Sequence, residues 1–128
     1  MQLNCNGLRD KLQEILRFMQ MNNVLVAALQ ETKLSQLCSL TAPGYNIVRK
    51  DRMSNRGGGL AFLIHNSIQY SVAPLRPPTA YDNVMESQAV NIVSGLTNVL
   101  LLNIYIPPTT SSPSGYSGNI EHLFNYNG

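Results

Sequence analysis

Cysteine is scarce in this sequence, with Cys5 and Cys38 the only two among 128 residues. They form no CxxC pair, sit in no cysteine-dense pattern and follow no secretory leader. Free thiols in a reducing, intracellular compartment are therefore expected, rather than a disulfide framework. His65 and His122 stand in no zinc-binding spacing, which excludes the common structural zinc modules. No apolar run approaches the ~20 residues of a membrane-spanning helix, so a soluble chain without a membrane partner is expected. Charge is sparse as well: nine Lys and Arg against seven Asp and Glu leave a net +2, which neither demands nor excludes nucleic acid.

What is present suits one domain. A chain of 128 residues with 44% hydrophobic content can bury a core and lacks the composition of a disordered polymer. The segment "MQLNC" allows a short first strand. In "NGLRDKLQEILRFMQMNN", Leu8, Leu12, Ile15, Leu16 and Met19 recur at three- and four-residue spacing, with Asp10 in the first turn, predicting an amphipathic helix of roughly three turns. Residues 24–30 follow as a strand apolar enough to be buried on both faces, parallel to the first. "LSQLCSL" is read as a brief helix. "YNIVRK" and "LAFLIH" are read as strands, with "IQYSV" the hairpin partner of the latter across Asn66-Ser67. "SQAVNIV" and "NVLLLNIYI" form a second hairpin around "SGLTN". Residues 107–118 are rich in Pro, Ser, Gly and Thr and read as a surface loop. A short helical start at Asn119 follows, and the chain stops within it, as a fragment would.

Four polar residues lie at or beside the C-terminal ends of predicted strands: Asn4, Asn6, Glu31 and Tyr105. In α/β folds those ends form the mouth where ligands bind. Glu31, in "LQETK", is a hard oxygen ligand of the kind Mg²⁺ accepts alongside water and phosphate oxygens. Tyr105 brings a phenolic donor. The structural alternatives are helix capping for Asn4 or Asn6, and a core aromatic with a surface hydroxyl for Tyr105. Arg49, Lys50, Arg52 and Arg56 cluster within eight residues around Asp51, either as a solvated loop or as phosphate contacts. The glycines of "RGGGLAFLI" are followed by a strand, not a helix. Their backbone N–H groups could approach a phosphate, but they form neither a Walker motif nor a dinucleotide fingerprint, and a tight bulge or flexible hairpin arm fits better.

Taken in order, "LNCNGLRDKLQEIL", "VLVAALQET", "GYNIVRKDR", "GGGLAFLIHNSI", the "ES" of Glu86-Ser87 and "LLNIYIPP" resemble the endonuclease/exonuclease/phosphatase superfamily. More narrowly, they are similar to the endonuclease domain of jockey-type non-LTR retrotransposon polyproteins. The resemblance implies an α/β fold, part of a four-layered sandwich of two mixed sheets, with residues 1–128 forming the N-terminal portion of one such domain and ending within or just after the loop 107–118. It implies metal-dependent cleavage of DNA, with Mg²⁺ or Mn²⁺ as cofactor and the nucleus as the place of action. Residue by residue, Glu31 would be the metal ligand, Asn4 and Tyr105 active-site residues, and Asn6 a neighbour of the phosphate. Glu86 receives no catalytic role. The family's later Asp-Asn and Asp-His segments do not occur in the sequence, so the isolated chain is expected to be inactive. A small-molecule or lipid phosphodiesterase of the same superfamily and a vestigial, non-catalytic binding protein remain the alternatives. No feature of the sequence sets an oligomeric state.

Overall fold

Ten residues of helix are too few to hold together in water without tertiary contacts. Helix α1, Leu12–Met21, is held by one face instead, burying Leu12, Ile15, Leu16 and Met19. Each such side chain contributes about 1.5–3 kcal/mol when fully withdrawn from water. The helix ends because Asn23 adopts a left-handed φ of 55°, which lets the Val24 N–H reach back to the Met19 carbonyl at 2.8 Å. That is the six-to-one bond of a glycine-type helix stop, with asparagine in the glycine's place. The helix starts later than its apolar spacing predicts. Leu8 is fully buried but lies in the preceding turn, where its N–H is bonded to the Thr32 carbonyl at 2.9 Å instead of joining a helix.

The computed structural model describes residues 1–52, 58–75 and 85–106. The expected loop 107–118, the helical start at Asn119, His122 and Arg56 lie outside the described residues. Among the described residues, seven strands accompany α1: β1 (Gln2–Asn4), β2 (Val26–Gln30), β3 (Tyr45–Lys50), β4 (Leu60–His65), β5 (Gln69–Ala73), β6 (Glu86–Ser94) and β7 (Thr97–Tyr105). They form a four-stranded mixed sheet in the order β1-β2-β4-β3 and a three-stranded antiparallel sheet in the order β5-β6-β7. β1 and β2 are parallel, as the strand–helix–strand start predicts, with Asn4 beside Gln30. The fold is thus of the mixed α/β type and rich in sheet.

Strand alternation explains the layering. On β2 and β4, Ala27, Leu29, Ala61 and Leu63 point into the core beneath α1. Phe62 and Ile64 point the other way, where with Val26, Ala28 and Val48 they meet Val90, Ile92 and Leu101 of the second sheet. A strand covered on both faces needs apolar residues at every position, hence the unbroken "LAFLI".

Two expectations are corrected. β4 and β5 do not form a hairpin: both edges of β4 are occupied, by β2 and β3, so the chain turns at His65–Ile68 and β5 pairs with β6 in the other sheet. Residues 34–40 are not helical either. Arg49 takes the Cys38 carbonyl through Nη1 at 2.6 Å and the Ser35 carbonyl through Nη2 at 3.0 Å, and Leu37 is left 97% exposed. An irregular connection, with one tight turn closed by the Cys38 N–H donating to the Ser35 carbonyl at 2.9 Å and tied to β3 by Arg49, replaces the helix. The β6–β7 hairpin forms as expected, around a two-residue turn led by Gly95 at φ +60°.

Candidate functional site

The carboxylate that ends the apolar strand β2 is set in place by its backbone. Glu31 has φ +54° and Lys33 φ +53°, a left-handed conformation that costs roughly 1–2 kcal/mol for residues other than glycine. Such strain persists only where neighbours over-determine it. Here they do so from both sides. Gly7 and Leu8 donate to the Glu31 and Thr32 carbonyls at 2.8 and 2.9 Å. Opposite, Thr32 and Lys33 donate to the Gly59 and Gly58 carbonyls at 3.2 and 2.8 Å. The segment Glu31–Lys33 is clamped between the end of β1 and the glycine run before β4.

Tyr105, the last residue of β7, arrives at the same place from the second sheet. Burial raises its phenol above the ordinary value, and the nearby Glu31 carboxylate adds to the effect. Glu31 and Tyr105 therefore meet across the gap between the sheets. Directly across from Tyr105 on β6 stands Glu86, whose charge also raises the phenol, while Arg52 lowers it. Arg52 and Glu86 form an ion pair at 3.0 Å, and the Gly59 N–H donates to the same carboxylate at 3.0 Å. Both Glu86 oxygens are thus engaged, which leaves Glu31 as the carboxylate at this mouth able to serve a hard cation.

Asn4 and Asn6 sit on the first-sheet side. The Asn4 Oδ1 accepts the Asn6 N–H at 3.2 Å, in a turn where Asn6 takes φ +46°. Neither asparagine caps α1, which begins at Leu12 behind Lys11. The Asn6 Oδ1 instead accepts a short hydrogen bond from the Lys33 ammonium. That bond ties the end of β1 to the residues beyond β2 and places a cation next to the Glu31 segment. Among the described residues, no three His, Cys, Asp or Glu side chains gather as a metal-binding group. Glu31 as a lone carboxylate suits an ion that keeps most of its water, and does not make a closed metal cage.

The basic cluster is drawn into the structure. Arg49 bonds Asp51 at 2.8 Å as well as the two loop carbonyls. The Lys50 ammonium donates to the Ser87 carbonyl at 2.6 Å, joining the sheets. Arg52 stands beside Tyr105 through Glu86. Sequence reasoning placed Arg52 in a charged loop and left Glu86 without a role, because their pairing spans 34 residues and leaves no local signal. A buried amide cluster of Gln30, Gln88 and Asn103 beneath the mouth was also missed, since each residue reads singly as strand polarity. Compared with protein-family models and with curated protein sequences, the chain gives no match.

Proposed function

We propose that this chain carries the metal-binding half of a phosphodiesterase site of the endonuclease/exonuclease/phosphatase type, from an enzyme that nicks DNA as the jockey-type retrotransposon endonucleases do. One observation carries the reading: the Glu31–Tyr105 pair, made between the C-terminal ends of β2 and β7 in two different sheets. Supporting it are the parallel β1–β2 start, the strained backbone at Glu31, and two sheets packed through Phe62, Ile64, Val90 and Ile92. On this reading the α1–sheet–sheet stack is part of a four-layered sandwich.

In the proposed site, Glu31 would hold Mg²⁺ or Mn²⁺, with Asn4 beside it as an active-site amide. The bound ion would supply Lewis-acid stabilisation of charge on a phosphate oxygen. Tyr105, kept neutral by burial and by Glu31, donates a hydrogen bond toward the phosphate. Arg52, fixed in direction by Glu86, adds a cation on the second-sheet side. Lys33 and Asn6 line the opposite wall. None of these groups positions an attacking water, and the Asp-Asn and Asp-His segments that do so in the family are not among these 128 residues.

The test is nicking of supercoiled plasmid with Mg²⁺ or Mn²⁺. The chain alone is expected to be inactive. A version extended by the family's downstream half is expected to nick, and to lose at least ~100-fold with Glu31→Ala. A well-folded extended chain that cuts no DNA but hydrolyses a small phosphodiester would overturn the DNA reading. Nicking that survives Glu31→Ala would overturn the site itself.

A further inference from the structure

Beneath the Glu31–Tyr105 pair lies a chain of side-chain amides with a consistent donor–acceptor sense. Gln2 Nε2 donates to Gln30 Oε1 at 2.9 Å, and Gln30 Nε2 donates to Asn103 Oδ1 at 2.7 Å. Asn103 Nδ2 turns to three acceptors, the Leu29 carbonyl at 3.0 Å, the Ala61 carbonyl at 3.2 Å and Gln88 Oε1 at 3.0 Å. Gln88 Nε2 then reaches the Val48 carbonyl at 3.3 Å. Gln30, Gln88 and Asn103 are 3%, 7% and 1% exposed, so water does not satisfy these groups. Asn103 alone touches β2, β4 and β6 from β7.

Its place along the chain gives this cluster meaning. Gln30 is the residue before Glu31, and Asn103 lies two before Tyr105 on the same face of β7. The Gln30–Asn103 bond is therefore a tie between the two sheets one step below the Glu31–Tyr105 pair. Apolar side chains facing each other across two sheets tolerate sliding, because dispersion has little direction. Buried amides do not: a one-residue slip of β7 would set Leu102 or Ile104 against Gln30 and strand several polar groups without partners.

We infer that Asn103 is a positioning residue, whose bonds to Gln30, Gln88 and the first-sheet carbonyls fix the register between sheets and so hold Tyr105 against Glu31. The inference rests on reading Glu31 and Tyr105 as one site. It does not depend on what that site cleaves.

The test reads the placement of the two strand ends without DNA or metal. The chain is labelled with ¹³C and ¹⁵N, and nuclear Overhauser contacts between the side chains of Glu31 and Tyr105 are recorded beside those of the β6–β7 ladder. In the parent chain, contacts between Glu31 and the Tyr105 ring are expected. In Asn103→Leu they are expected to vanish while the β6–β7 ladder contacts remain. Since Asn103→Leu leaves buried amides unpaired and threatens folding, a triple variant replaces Gln30, Gln88 and Asn103 with Leu, removing all three amides together. The triple variant is expected to recover stability without recovering the Glu31–Tyr105 contacts. Contacts that persist in either variant, or that are missing from the parent chain, overturn the inference. Failure of both variants to fold overturns it as well, because the amides would then serve the fold as a whole. A failed nicking assay on the extended chain, by contrast, leaves these contacts where they were and counts against the nuclease reading alone.

Discussion

Replacing Gly59 with alanine tests the clamp around Glu31 most directly. Gly59 has φ +94°, and a Cβ built there runs into Thr32 Oγ1, well inside van der Waals contact. Thr32 cannot move aside readily. It is fully buried, and its backbone is bonded on one side to Leu8 and on the other to Gly59. Two costs add: about 1–2 kcal/mol for the left-handed backbone of a residue with a Cβ, and about 1–3 kcal/mol for overpacking. Their sum of about 2–5 kcal/mol corresponds to a fall in Tm of roughly 8–20 °C for a chain of this length. Gly44 separates the two terms. At φ +87° it has nothing within 4 Å of an added Cβ, so Gly44→Ala should cost only the backbone part. Urea unfolding followed by far-ultraviolet circular dichroism measures all of these, the chain having no tryptophan. In a Thr32→Ala background the overlap disappears, and Gly59→Ala should then cost no more than Gly44→Ala. An equal penalty with and without Thr32 Oγ1, or a penalty under about 0.5 kcal/mol in the parent chain, would refute the steric reasoning.

Three further outcomes follow from the same geometry. Glu86→Ala removes the acceptor of both Arg52 and the Gly59 N–H, and should cost about 2 kcal/mol by urea unfolding; a loss within the ~0.5 kcal/mol of an ordinary surface change would show the pair to be dispensable. Stability should fall at alkaline pH. Burial raises both the Cys5 thiol and the Tyr105 phenol, so the stability they contribute is fully present below their ordinary values of 9.0 and 10.0 and is lost as pH climbs through the raised ones. Urea midpoints that stay level from pH 8 to pH 11, or that fall equally in Cys5→Ala/Tyr105→Phe, would contradict this. Alkylation should modify Cys38 first and Cys5 roughly a hundredfold more slowly or less, because Cys5 is 1% exposed and reacts only on opening; mass spectrometry showing both labelled together would mean the β1 end is loose.

The amino-acid order alone determined whatever depends on near neighbours. The three- and four-residue spacing of Leu12, Ile15, Leu16 and Met19 set the buried face of α1, because a helix repeats its face on that period. The unbroken apolar run Leu60–Ile64 marked a strand covered on both sides, and Gly95 marked the β6–β7 turn. Strand ends located Asn4, Glu31 and Tyr105 for the same reason. Tertiary structure decided everything that required two distant segments to meet. Strand periodicity says which residues share a face but not which strand lies alongside, so β5 could be assigned to its sheet only once β2 and β3 had filled both edges of β4. Residues 34–40 have helix-like spacing, yet the guanidinium of Arg49, on a later strand, takes the Ser35 and Cys38 carbonyls, and a single tight turn stands there in place of a helix. Arg52 and Glu86 become partners only when β3 and β6 are brought together, and the left-handed turn at Glu31 exists only because Gly7–Leu8 and Gly58–Gly59 hold it from both sides. Local sequence carries local propensity. The fit of a site across two sheets is a property of the packed chain, and here it rests on hydrogen bonds between residues as far apart as Gln30 and Asn103.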